Sequence, residues 1–143
     1  MKSATKDSKE IKKAKQKLGK TIKKLRENKE FSLRELARSV NLPPSNMKYI
    51  EDGINAPSPD KYLAIIRYLS PDSKNRDELD TAYSIIRGTP PPDVCNIICE
   101  NKGLNDVLRI IDGQTLSVNQ IEQLKQLIKS FKVEIGKGEK DNG

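Results

Sequence analysis

"FSLRELARSVNLPPSNMKYIEDG", residues 31–53, holds two short apolar-periodic segments separated by a stretch that cannot continue a helix. Ser32 and Glu35 make an S-x-x-E capping box, so a helix opens just after Ser32, with Phe31 placed to pack back onto it as a staple. Leu33, Leu36, Ala37 and Val40 fall on its inward face. Asn41 follows, and asparagine is the commonest non-glycine residue in left-handed backbone. A residue before proline is pushed out of the α region, which keeps Pro43 non-helical. Pro44 then suits the first helical position, where its missing N–H costs least. The second helix therefore runs from Pro44 to about Asp52. Met47 and Ile50 face inward, Ser45, Lys48 and Tyr49 face away, and Asn46 lies to one side.

Outward from this pair the chain reads as further helices. Ile11, Ala14, Leu18, Ile22 and Leu25 recur in steps of three and four, predicting helix 1 over 9–28, with lysine on its other faces. Ser58-Pro59 reads as N-cap and N1 of a helix that turns Tyr62, Leu63, Ile65, Ile66 and Leu69 inward and ends at Pro71. A fifth helix covers 74–87, with Leu79, Ala82, Tyr83 and Ile86 on one side and Gly88 as C-cap. "GTPPPD", 88–93, favours a stiff extended connector. Beyond it Val94, Ile97 and Ile98 suggest one short helix, and Leu104, Val107, Leu108 and Ile111 a second. Ser117-x-x-Gln120 caps a third, whose Ile121, Leu124, Ile128, Phe131 and Ile135 form a heptad seam. Two heptads are too few for an independent coiled coil but complete an interface. The expected organisation is a disordered basic arm at 1–8, a first domain at 9–88, a Pro-rich linker at 89–93, a helical oligomerisation or partner region at 94–135 and a disordered tail at 136–143.

Composition narrows the class. The chain has 143 residues, 34% hydrophobic and 33% charged, with two Phe and no Trp, so a modest Leu/Ile helical core is expected. No apolar run is long enough to span a membrane, and the charged N-terminus argues against export, so a cytoplasmic location is expected, nucleoid-associated when bound to DNA. Net charge is +7, and it is unevenly placed. Residues 1–24 hold ten Lys against Asp7 and Glu10, a net of +8, while the remainder carries 17 basic and 18 acidic residues. Such an arm favours polyanions, nucleic acid or an anionic membrane face, against the plainer reading of a solubilising tail. With no His there is no mononuclear zinc set within the chain. Cys95 and Cys99 read as small buried hydrophobes in a reducing compartment. The other reading, an all-thiolate site, needs both cysteines from each of two chains. No metal and no cofactor is expected. No cysteine–base pair or Gly-rich phosphate loop after a strand is present, so an enzyme is not expected.

A helix-turn-helix needs a small residue where its helices touch, a turn residue that tolerates positive φ, and apolar grips beneath. Segment 33–52 supplies Ala37, Asn41, and the set Leu36, Val40, Leu42, Met47 and Ile50. Residues 18–69, with S-x-x-E-L-A, then I-E-x-G, then P-S before an apolar helix, resemble the Cro and phage-repressor type of helix-turn-helix domain, the XRE family. The resemblance implies an all-α fold, a five-helix lambda-repressor-like domain, followed here by a small helical C-terminal dimerisation region. It implies an ion pair between Arg26 and Glu51 that ties helix 1 to the recognition helix. It also implies that the outward residues of helix 44–52 meet base edges. The family often has Gln where this chain has Leu33 and Pro44. Base reading therefore narrows to Pro44, by apolar contact with a thymine methyl, and to Ser45, Lys48 and Tyr49, with Lys48 favouring guanine. Ser32, Arg34, Asn46, Asn55, Lys12 and Lys13 are the expected phosphate contacts, and Lys2, Lys6 and Lys9 could extend them along the duplex. Asp52 stands unfavourably beside that surface.

One good base contact discriminates by about 1–3 kcal/mol. The three polar contacts of Ser45, Lys48 and Tyr49 in one domain are therefore weak, and a two-fold site doubles them. The leading expectation is a homodimeric transcriptional repressor on a palindromic operator, with Ile121, Leu124, Ile128 and Phe131 at the dimer interface. The alternative is an antitoxin or prophage-type repressor whose C-terminal helices bind a toxin, antirepressor or peptidase.

Overall fold

The chain folds as the capping signals direct. The computed structural model describes the backbone of residues 3–142 and the side chains of residues 8–131. Its helices are α1 (Ser3–Asn28), α2 (Leu33–Ser39), α3 (Pro44–Glu51), α4 (Pro59–Leu69), α5 (Ser73–Arg87), α6 (Pro92–Glu100), α7 (Leu104–Arg109) and α8 (Val118–Asn142). No strand occurs among the described residues, and the fold is all-α. Each start has its local cause. Ser32 closes a capping box with Glu35, Ser58 accepts from the Lys61 N–H, and Asp72 accepts from the Asn75 N–H. Pro44 and Pro59 begin their helices at the position where no N–H is needed. Ser117 and Gln120 cap α8 reciprocally.

Three expected boundaries shift. The arm at 1–8 is helical from Ser3, and the tail at 136–143 is helical to Asn142. Low apolar content denies such segments a buried face, but it does not deny them a helical backbone, and neither contains proline. Third, the prolines at 90–92 do not divide the molecule. The chain separates into Met1–Glu100 and Asn101–Gly143. Pro92 starts α6, which packs against α4 within the first unit.

In the first unit α1 packs chiefly on α5 and α3, and α2 on α3. Leu18, Ile22, Leu36, Ala37, Met47, Ile65, Leu69 and Leu79 are all fully buried. Tyrosine contributes more than the aromatic count suggested. Tyr62 and Tyr83 are the largest fully buried side chains, with ring centroids 4.3 Å apart. Phe31 sits against Tyr68 at 4.8 Å, pinning the entry to α2. The Tyr62 hydroxyl donates to Asp80 at 2.6 Å, Arg76 bridges Asp80 and Asp93, and the chain of contacts links α4, α5 and α6. Asp80 is thus part of the support that holds α4 and α5 together. α6 itself lies at the surface. Cys95 is half-buried and Cys99 exposed, so neither is the core residue the sequence suggested. An amphipathic helix at the rim of a small domain turns only part of its circumference inward.

Burial, and then the bond to Asp80, push the Tyr62 phenol well above its ordinary pKa. A folded-state pKa raised above the unfolded value of about 10 stabilises fully below that pH and is lost as pH rises through it. Tyr62→Phe is expected to cost about 1.5–3 kcal/mol at pH 7, where it removes a hydrogen bond to a charged group. It should also flatten the loss of stability above about pH 10. Urea unfolding of both proteins across that range is the measurement, and equal alkaline slopes would refute the assignment.

The second unit carries α7 and α8. Among its described residues only Leu104, Ile111 and Leu116 are even half-buried. Ile121, Leu124, Leu127, Ile128 and Phe131 are each between 38% and 52% exposed. Ile135, the last residue of the expected seam, lies outside the described side chains.

Candidate nucleic-acid interface

The turn between α2 and α3 adopts the conformation its residues demand. Asn41 has φ 63° and Pro43 is extended at φ −61°, ψ 144°. The Leu42 N–H donates to the Ala37 carbonyl at 2.8 Å, closing the end of α2. Lys61, from α4, donates through Nζ to the carbonyls of Val40 and Asn41 at 3.0 and 3.1 Å. An ammonium group there satisfies carbonyls that α2 cannot bond itself and complements its negative end.

α3 is gripped from one side only. Met47 is 0% and Ile50 3% exposed, whereas Pro44, Ser45, Asn46, Lys48 and Tyr49 are all exposed. At its C-terminal end Arg26 Nε and Nη2 donate to the two Glu51 carboxylate oxygens at 2.6 and 2.9 Å, and Nη1 donates to the Phe31 carbonyl at 2.8 Å. One guanidinium thus ties α1, α3 and the entry to α2. The hydrogen bonds to Glu51 raise the Arg26 pKa, against the cost of burial. α1 approaches α3 so closely that a Cβ on Gly19 would stand 2.3 Å from the Ile50 carbonyl oxygen. Gly53, at φ +77°, lets the chain turn directly over Gln16.

The loop beyond is tied at both ends. The N–H groups of Ile54 and Asn55 both donate to the Tyr49 carbonyl, which places Asn55 beside the end of α3. Arg87 donates to the carbonyls of Ala56 and Pro57 at 3.3 and 2.7 Å. Asn55 itself is exposed, as are Ser32 and Arg34 around the start of α2. The Ser32 hydroxyl oxygen accepts from the Glu35 N–H at 3.0 Å, leaving its own proton free to donate outward. Lys48 lies along α3 toward Asp52 at 3.3 Å, a solvent-exposed pair of little energetic weight.

The lysines of α1 divide. Lys12 and Lys15 line a cleft with Asp52, Gly53 and Ile54, next to the end of α3. Lys13 lies on the other flank, on a groove shared with Asp77 and Glu78 of α5. It therefore does not join the other expected phosphate contacts. The side chains of Lys2 and Lys6 lie outside the described residues. Among the described residues no cluster of three or more metal-ligating acidic or Cys side chains occurs, and no helix is long and apolar enough to cross a membrane.

Gly19, Lys61 and Arg87 escaped the sequence reading. Gly19 left a signal, since a lone glycine inside a helical stripe costs about 1 kcal/mol relative to alanine and implies a packing reason. Lys61 and Arg87 left none, because a clamp onto carbonyls far along the chain has no local pattern.

Two helices at a tight turn, the second buried on one side and polar on the other, define a helix-turn-helix protein. Residues 17–79 match the family model of a helix-turn-helix domain, consistent with a DNA-binding domain of the XRE type. No curated protein and no solved structure gives a significant match.

Proposed function

We propose that the chain is a sequence-specific regulator of transcription that inserts α3 into the major groove of duplex DNA, as a homodimeric repressor on a palindromic operator. The observation that carries this reading is the two-sidedness of α3: Met47 and Ile50 are locked in the core while Ser45, Lys48 and Tyr49 stand clear. Pro44 contributes apolar contact at the helix start, and Lys48 leaves Asp52 for a guanine edge, since their exposed pair costs little to break. Ser32, Arg34, Asn46, Asn55 and Lys12 hold phosphates around it and set its register without reading sequence. Two copies are supported by α8, whose Ile121, Leu124, Ile128 and Phe131 each leave 38–52% of their surface exposed.

Selection of bound genomic fragments followed by footprinting tests the reading directly. A palindromic protected site supports it, and equal affinity for selected and random duplexes at moderate salt rejects it. Lys48→Ala with Tyr49→Ala is expected to reduce discrimination between the selected and random sites by about 10- to 100-fold, with the unfolding midpoint nearly unchanged because both side chains are exposed.

The uncovered apolar residues also favour a second reading, an antitoxin or prophage-type repressor whose C-terminal helices are covered by another protein. A stoichiometric second protein in the complex purified from the native host would select it.

A further inference from the structure

We propose that the outer face of α1, centred on Lys13, Lys17 and Lys20, is a second duplex-DNA surface that binds phosphates without reading bases. Between Ile11 and Arg26 the helix carries Lys12, Lys13, Lys15, Lys17, Lys20, Lys23 and Lys24 and no acidic residue. Lys13, Lys17 and Lys20 converge on one shallow hollow with Gln16 and Thr21, a space of about 380 Å³ open to solvent. None of the three is in an ion pair among the described residues. Three cations, an amide and a hydroxyl around a hollow without a carboxylate are donors for an anion. Lys13 to Lys20 spans about 10 Å of helix axis, the rise of about three phosphates along one DNA strand. Glu10, Asp77 and Glu78 stand along the groove toward α5 and bound the surface on that edge.

The orientation separates this face from the one that carries α3. Gly19 marks where α1 touches α3. At about 100° per residue, Lys17 lies roughly 160° and Lys13 roughly 120° around the helix from it. A duplex seated on α3 approaches from the Gly19 side, so the lysine face meets a different segment of DNA, and one protein bridges two.

The inference rests on the DNA-binding reading above, and the test separates their failures. Lys13, Lys17 and Lys20 are replaced by Gln, and binding to a random-sequence duplex is followed by fluorescence anisotropy across salt concentrations. The slope of log K against log salt should fall by about 2–3, as each phosphate contact contributes about 0.9. A control with Lys29, Lys74 and Lys102 replaced by Gln, which makes the same change in net charge, should shift the slope far less. In a chain already carrying Lys48→Ala and Tyr49→Ala the loss should persist in full, because independent sites add. Equal slopes for the two triple variants would overturn the proposal, as would disappearance of the effect in the Lys48/Tyr49 background. Loss of binding to anionic vesicles with duplex binding intact would also overturn it, assigning the face to a membrane. Absence of discrimination by the unaltered protein, with these slopes as expected, would sink only the sequence-specific reading.

Discussion

Glu51→Ala should destabilise the first unit by about 3–5 kcal/mol, the cost of leaving a buried charge without its partner. The Arg26 side chain is 10% exposed and that of Glu51 2%, so little water is available to replace the carboxylate. A domain with about 5–15 kcal/mol of stability loses a large fraction of it at one position. The bond from Arg26 to the Phe31 carbonyl survives, so the guanidinium stays in place and the strain falls on the α1–α3 contact. The double replacement Arg26→Met with Glu51→Leu is expected to recover most of the stability, because apolar groups of similar volume often match or exceed a buried ion pair. DNA binding should not recover with it, since two parallel hydrogen bonds fix the rotation of α3 and a methionine–leucine contact does not. Urea unfolding combined with duplex titration of the single and double variants measures both. A single variant within about 1 kcal/mol of the native protein would mean that the pair acts as a surface bridge. A double variant that binds normally would remove its orienting role.

The helix-turn-helix was legible because its determinants are local. Capping at Ser32, left-handed backbone at Asn41 and the proline rule at Pro43-Pro44 each act within a few residues, and each element formed where its own chemistry placed it. The pairing of Arg26 with Glu51 was legible only through resemblance, since 25 residues of chain separate them. The clamps from Lys61 and Arg87 and the Tyr62–Asp80–Arg76–Asp93 chain were hidden for the same reason of distance, without a motif to recover them. Domain limits failed differently. Proline at 90–92 and polarity at both ends signal breaks, yet proline also begins helices, and polarity by itself does not bar a helical backbone. On α1 the sequence could count the lysines. It could not show that Lys12 shares a cleft with the end of α3 while Lys13 turns toward α5.

Gly19→Ala is the sharper test of how α3 is held. In an open helix the change should stabilise by about 1 kcal/mol, through alanine's better helix propensity. Here the sign reverses. The new Cβ would stand 2.3 Å from the Ile50 carbonyl oxygen and 2.5 Å from that of Glu51, and both are backbone atoms that cannot swing aside. Ordinary contact begins near 3.4 Å, so α1 and α3 must part by about 1 Å. Overpacking of this kind costs roughly 1–3 kcal/mol and in this place also rotates Ser45, Lys48 and Tyr49 away from the groove. Arg26, about two turns further along α1, and Glu51 on α3 cannot both keep their bonds across the widened gap. Gly88→Ala is the control: it forces a side chain onto positive φ, at 69°, a strain that Gly19 does not have, but nothing lies within 4 Å of the added carbon. It should lose about 1–2 kcal/mol from backbone strain and bind DNA as before. Thermal unfolding and binding to the selected site distinguish the two. If Gly19→Ala matches the native protein in both, the close approach of α1 to α3 does not position the recognition helix.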